Sequence, residues 1–220
     1  MTDGVRDVWH ADASFMILTL RMALVSDHPL HLLGLRFPLR LRVTVRQGFV
    51  TLHNEITTKK LGSGDSFVVP AFLRFACDVM PGRGKPAVFT LALEADEAQA
   101  DHGGGKRWSQ ALARHIFHSP QGKWTAARLA ALWQVTPHKA RARLFAEGEA
   151  LLSLVREQRL AHALHTAAQG GVEGERDLAQ VAAGSGFASI PAFCDACVDV
   201  AGIRPSLFLG GHGGCAAAPR

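Results

Sequence analysis

The chain has little of what marks a secreted or membrane protein. Its 220 residues include only four cysteines. They are scattered at Cys77, Cys194, Cys197 and Cys215, which excludes the paired framework of a small disulfide-stapled fold. The most apolar run, Phe15 to Val25, is interrupted by Arg21 and is too short to cross a bilayer. No membrane partner is expected. Met1-Thr2-Asp3-Gly4 lacks the basic opening of a signal peptide, so a cytoplasmic protein is expected. Closely spaced metal ligands are missing too. His53 and Glu55 stand near each other, but no second His lies two residues away, and His28 and His31 flank a turn far from that strand in sequence. Imidazole and carboxylate hold iron, manganese or nickel only in larger sets. The expectation is therefore no metal, no cofactor, no catalytic residue and no enzyme.

What is present fits one large or two small domains. The formal net charge is +5, which suits a polyanionic partner. From Ala13 to Leu93, short runs of Val, Leu and Phe are broken by turn signals: Ser26-Asp27-His28-Pro29, Gln47-Gly48, Gly62-Ser63-Gly64-Asp65 and Pro81-Gly82-Arg83-Gly84. Leu41 to Arg46 alternates apolar and polar residues, as a half-buried strand does. Phe49 to His53 continues the alternation after Gly48, which predicts a hairpin. Short strands at close spacing predict a sandwich or barrel. Glu94 to Gly122 reads as a linker with a flexible Gly103-Gly104-Gly105. Its last part, Lys106 to His118, reads as a helix with a stripe of Trp108, Leu112, Ile116 and Phe117. The boundary falls near Gly104, dividing the chain into 1–104, 105–209 and a Gly- and Ala-rich tail, 210–220, expected to be disordered.

The most informative stretch is Trp124 to Arg159. Thr125 is placed to cap a helix running to Trp133, and Gln134-Val135 falls where a short turn belongs. Thr136-Pro137 restarts a helix: Thr caps it, and Pro in the first turn loses no needed donor. His138, Lys139, Arg141 and Arg143 follow. Helix, tight turn and a second helix with a basic first half is the pattern of a helix-turn-helix. A longer helix then runs from about Glu149 to Ala163. After it come Asp177 to Ala182, Gly186-Phe187-Ala188-Ser189, Phe193 and Gly202-Ile203-Arg204-Pro205-Ser206.

This ordered set, from about Lys123 to Leu209, resembles the DNA-binding domain of the AraC/XylS family of bacterial transcription regulators. The resemblance implies an all-α domain of two helix-turn-helix units joined by a long helix. Leu61 to Pro70, with its Gly-Asp turn and following strand, is similar to part of a cupin barrel, which many such regulators carry in front. The fold class expected is thus α+β: a small cupin-like β-barrel, then the all-α domain. The barrel is a dimerisation or scaffold module, or a sensor holding a small-molecule effector; the resemblance favours the sensor. It also implies promoter DNA as partner, recruitment of RNA polymerase and an activator.

In the first unit the resemblance turns His138, Arg141 and Ala142 toward bases. Arg141 is suited to the bidentate contact with guanine O6 and N7, and His138 can donate to an acceptor edge. Lys139 and Arg143 flank that side and would neutralise phosphates; the alternative for Arg143 is an ion pair with Glu147, one turn on. Ala142 replaces the family's usual Arg, and Ala140 a large apolar residue. Arg159 matches an Arg that fixes the long helix within the domain. In place of a Leu pair the chain has Thr166-Ala167, and it inserts 170–176.

The second unit departs further. Ser189 is its expected N-cap, able to anchor a phosphate through the helix start. Its outward residues, Ile190, Pro191, Ala192, Cys194, Asp195 and Asp199, read little beyond a thymine methyl, and the carboxylates repel phosphate. Cys194-Asp195-Ala196-Cys197 is either a redox or metal switch, or a pair in which Cys packs as a small hydrophobe. Reading is therefore expected to rest on the first unit. The rival is a degenerate member that binds another regulator or polymerase instead of DNA.

Overall fold

The structure, a computed structural model, describes residues 23–94, 107–169 and 178–209. The expected boundary near Gly104, the insertion 170–176 and the tail from 210 lie outside them. The fold is α+β: eight strands come first, then helices.

The strands are β1 (Ala23–Ser26), β2 (Leu30–Leu35), β3 (Arg40–Gln47), β4 (Phe49–His53), β5 (Thr58–Leu61), β6 (Ser66–Val69), β7 (Phe75–Met80) and β8 (Ala87–Glu94). They make two four-stranded antiparallel sheets, ordered β1-β8-β3-β6 and β2-β7-β4-β5. Among the described residues no strand pairing joins the two, so the expected barrel is an open sandwich.

The expected hairpin across Gly48 does not form. β3 pairs with β6 and β8, while β4 pairs with β5 and β7. Gly48 is the corner at which the chain changes sheet. It has φ +82°, and a Cβ there would lie 2.7 Å from the Met80 carbonyl oxygen. Alternation in β3 and β4 did mark the faces correctly. Leu41, Val43, Val45, Val50 and Leu52 are all buried in one core shared by both sheets. The Gly62–Asp65 turn is held by its own side chain, since Asp65 Oδ2 accepts from the Gly62 N–H at 2.8 Å.

The helices are α1 (Arg107–His118), α2 (Ala126–Leu132), α3 (Pro137–Ala146), α4 (Leu151–Gln169), α5 (Leu178–Gly184), α6 (Ile190–Ala201) and the single turn α7 (Ser206–Leu209). The α2–α3 and α5–α6 pairs are the two helix-turn-helix units, and α4 joins them. None of the described helices is long and apolar enough to cross a membrane.

The hydrophobic cores do not follow chain order. Leu112, Ile116, Trp124, Leu129, Ala140, Leu144 and Leu154 form one core around the first unit, and Phe72 from the sandwich joins it. Among the described residues the second unit has no core of its own. Val181, Phe193, Cys197 and Ala201 belong to the same cluster as the sheets. Close backbone approach accounts for this. A Cβ on Gly34 of β2 would sit 2.9 Å from the Val200 carbonyl oxygen, and one on Gly202 would sit 3.1 Å from Leu33. Truncating fully buried Phe193 to Ala would cost about 3–5 kcal/mol.

Candidate nucleic-acid interface

The caps fall where their side chains predict. Thr125 accepts from the Arg128 N–H at 3.2 Å, Thr136 from the Lys139 N–H at 3.3 Å and Ser189 from the Ala192 N–H at 3.3 Å. Each satisfies one orphan donor of a first turn. Pro137 follows its cap inside the first turn of α3. Between α2 and α3, Gln134 adopts φ +52°, the left-handed turn that lets two helices meet at a steep angle.

On α3, Ala140 and Leu144 face inward, while Thr136, His138, Lys139, Arg141 and Ala142 are exposed. His138, Lys139 and Arg141 have no side-chain partner among the described residues, which leaves one imidazole and two basic side chains on an exposed helical face. The carboxylates nearby are turned away from it. Glu147, just past the end of α3, accepts from the N–H groups of Trp108 and Ser109 at 3.0 and 2.8 Å and from the Ser109 hydroxyl at 2.6 Å. It caps α1, where a negative charge meets the positive end of the helix dipole. Glu149 and Glu157 are held in the interior by Arg36. The face of α3 is thus more basic than the formal charge of the stretch suggests.

Arg143 is placed differently from its neighbours on α3. It makes no ion pair with Glu147 and does not share the exposed face. Its guanidinium lies 4.0 Å over the Trp108 ring, half-buried, and its Nη1 is buried without a hydrogen-bond partner. Trp108 in turn lies 5.0 Å from Trp133. Sequence reasoning missed this because Trp108 is far away along the chain. The apolar stripe of α1 named the right helix but not the partner.

Arg159 does hold the domain together. It donates to the Pro120 and Gly122 carbonyls at 2.8 and 3.1 Å, and burial lowers its pKa. The same loop takes the second unit. Gly186 has φ +79°, and a Cβ there would fall 2.0 Å from the Pro120 oxygen. Phe187 beside it packs 5.2 Å from Phe193. The Gly-Phe text is therefore a docking point between the two units. Next to it lies a cleft of about 380 Å³, lined by His118, Pro120, Gln121, His162 and Gly184 among others.

On α6 the exposed residues are Ile190, Pro191, Ala192, Asp195, Val198 and Asp199. Asp199 is bridged by Arg156 of α4 at 2.7 Å; Asp195 is exposed with no counter-ion among the described residues. Cys194, expected to face outward, is half-buried. Cys197 is free, so the C-x-x-C pair is not closed on itself. Cys197 is fully buried, and desolvation pushes its thiol up to about 12. It packs as a small hydrophobe.

In the sandwich, His31 and His53 are brought together although far apart in sequence. Both reach Asp78 of β7, His53 Nδ1 at 3.5 Å, and their rings stack at 6.2 Å. Among the described residues no group of His, Cys, Asp and Glu is arranged to hold a metal ion.

No family model matches the chain, and no curated protein matches it. Its fold is similar to that of ToxT from Vibrio cholerae. One ToxT structure at 1.65 Å resolution shares 9% identity at a TM-score of 0.58, covering 86% of this chain and 96% of the other. ToxT from strain O395 gives 11% identity and 0.58 over the same shares. Wild-type ToxT bound to an unsaturated fatty acid gives 10% and 0.57, again over 86% and 96%. At these identities the likeness establishes the arrangement of a sandwich followed by paired helical units.

Proposed function

We propose that this chain is a DNA-binding transcription regulator of the AraC/XylS kind, reading promoter DNA mainly through α3. The observation that carries the reading is the exposed row of His138, Lys139 and Arg141 behind the Thr136 cap. An α-helix fits the major groove. A guanidinium there forks onto guanine, an imidazole donates to an acceptor edge, and an ammonium neutralises phosphate. Ser189 and the start of α6 hold a neighbouring phosphate through backbone N–H groups, without reading bases.

The division follows the notional boundary near Gly104, with the sandwich as sensor and the helices as reader. The regulator is an activator that recruits RNA polymerase, and it works as a homodimer. Its effector is a small apolar molecule taken up by the sandwich. The fatty acid bound to ToxT, whose fold this chain shares, supports that choice.

A second reading is favoured by one observation. Ile190, Val198 and Asp195 make an exposed apolar and acidic surface on α6, suited to a protein partner rather than to DNA. A mobility-shift titration of the full chain against random-sequence duplexes, at several salt concentrations, decides between them. DNA reading requires a complex that weakens steeply with salt and enriches particular sequences over selection rounds. Absence of any shift at low salt removes it in favour of the protein-binding reading.

A further inference from the structure

One residue that ties the sandwich to the helices is unusually well held. Arg36, which follows β2, is 3% exposed. Its Nε and Nη2 donate to Glu157 of α4 at 3.1 and 2.5 Å. Its Nη1 and Nη2 donate to Glu149 at 2.7 and 3.0 Å. Both carboxylates are nearly as buried as the guanidinium. Each therefore receives a two-pronged contact, which a buried charge needs if it is not to be costly. Arg74 adds a second contact to Glu157 at 3.2 Å, so two cations balance two carboxylates. The Arg36 carbonyl accepts from Gln158 Nε2 at 3.1 Å.

Glu149 is not on the body of α4. It sits in the loop that ends α3, and its own N–H donates to the Leu144 carbonyl at 2.9 Å. Holding Glu149 therefore holds the last turn of α3. A second, independent observation lies beneath. Phe72 has φ +62°, a left-handed conformation that a bulky residue avoids unless its surroundings impose it. That backbone sends the ring out of the sandwich into the first unit's core, where the Arg36 guanidinium lies 4.2 Å over it. Its N–H is fixed by the Phe37 carbonyl at 2.7 Å. Arg36 thus holds the end of α3 through Glu149, while its neighbour Phe37 fixes the backbone of Phe72, whose ring belongs to the same core as Ala140 and Leu144 of α3.

We propose that Arg36 and Phe72 are positioning residues for the first recognition helix, through which the sandwich splints α3 in its reading position. The inference rests on the reading of α3 as the DNA-contacting helix. It gives that reading a control point, since any change of the β2–β3 segment is passed to α3 through Glu149. The second unit needs no such splint, because its core is already continuous with the sheets.

The test uses the full chain and two variants, Arg36→Gln and Glu149→Gln. The second keeps the side chain's size and an acceptor oxygen, so it remains informative if the first fails to fold. Hydrogen exchange of the α3 amides is measured alongside binding to duplexes selected by the wild-type chain from a random pool. Both variants should speed exchange in α3 but not in α6. Both should weaken the selected duplex roughly tenfold, within the usual range of coupling between sites, while binding to unselected duplex is unchanged. Arg36→Lys should not restore the wild-type values, because one ammonium cannot fork onto two carboxylates. A folded Glu149→Gln variant with wild-type exchange in α3 overturns the proposal, whatever its DNA binding. If the wild type selects no duplex, the proposed function fails, and the exchange data alone decide the positioning role.

Discussion

The Arg143 guanidinium stacks 4.0 Å over the indole of Trp108, so a cation on α3 serves to hold that helix against α1. Arg143→Ala should lower stability by about 1–2 kcal/mol, through the lost cation–π contact and the lost packing of its stem. Arg143→Lys should recover little, because an ammonium lacks the planar stack. Urea unfolding of the three proteins checks this. A stable Arg143→Ala variant whose DNA affinity loses about one counterion from its salt slope would instead return Arg143 to the phosphate role expected from sequence.

The Gly186–Pro120 contact makes a sharper contrast. Both Gly186 and Gly148 have positive φ, but a Cβ on Gly148 meets nothing within 4 Å. Gly148→Ala should cost about 1 kcal/mol of backbone strain. Gly186→Ala adds overlap with backbone and should cost on the order of 3 kcal/mol. Paired thermal melts read the difference, and equal costs would show that the Pro120 loop gives way.

Much of this was legible because it is local. Thr125, Thr136 and Ser189 cap helices through atoms a few residues away, and the Gly-Phe text marks a backbone approach that only glycine permits. Alternation in β3 and β4 revealed which side chains point inward. It could not reveal the partner strand, because period two fixes a face and leaves the neighbour open. So Gly48 read as a hairpin turn when it is a corner between sheets. The partners of Arg36, Arg143 and His31 lie far along the chain, and no local pattern encodes them. Their pairing follows from how the sheets and helices pack.

Acid should loosen the junction of the helical units. Burial, then the neighbouring His118, holds the His162 imidazole below its ordinary 6.5. Burial, then His162, does the same for His165. Both pack on the Phe117 ring, and His118 lies against its edge. His162 also contacts the Ser185 hydroxyl at 3.3 Å and His165 the Gln169 amide at 3.1 Å. With the folded value depressed, the unfolded chain takes up protons first as pH falls. The stabilising contribution is complete above 6.5 and is lost as pH drops through the folded value. Melting temperatures measured from about pH 7.5 to 5 should fall, and less steeply in His162→Gln. A flat profile that the variant does not alter would mean that the imidazoles are solvated.

Division of labour within α3 is tested by two substitutions. Arg141→Ala should weaken the selected duplex by roughly 1–3 kcal/mol and relax preference at one or two base pairs. Lys139→Ala should weaken all duplexes alike and reduce the salt slope by about one counterion. Titration against a panel of singly mutated sites separates them, and identical behaviour of the two variants would refute the assigned roles.

The central claim, that one unit reads while the other only holds, is tested most directly by a base-resolution footprint of the wild-type chain on its selected duplex, repeated with Asp195→Arg. The account predicts base protection over one major groove and backbone protection alone over the next. Asp195→Arg should then raise affinity for all duplexes, because it removes a repelling carboxylate and adds a phosphate contact. Base-specific protection across two adjacent major grooves, or no gain from Asp195→Arg, would contradict it.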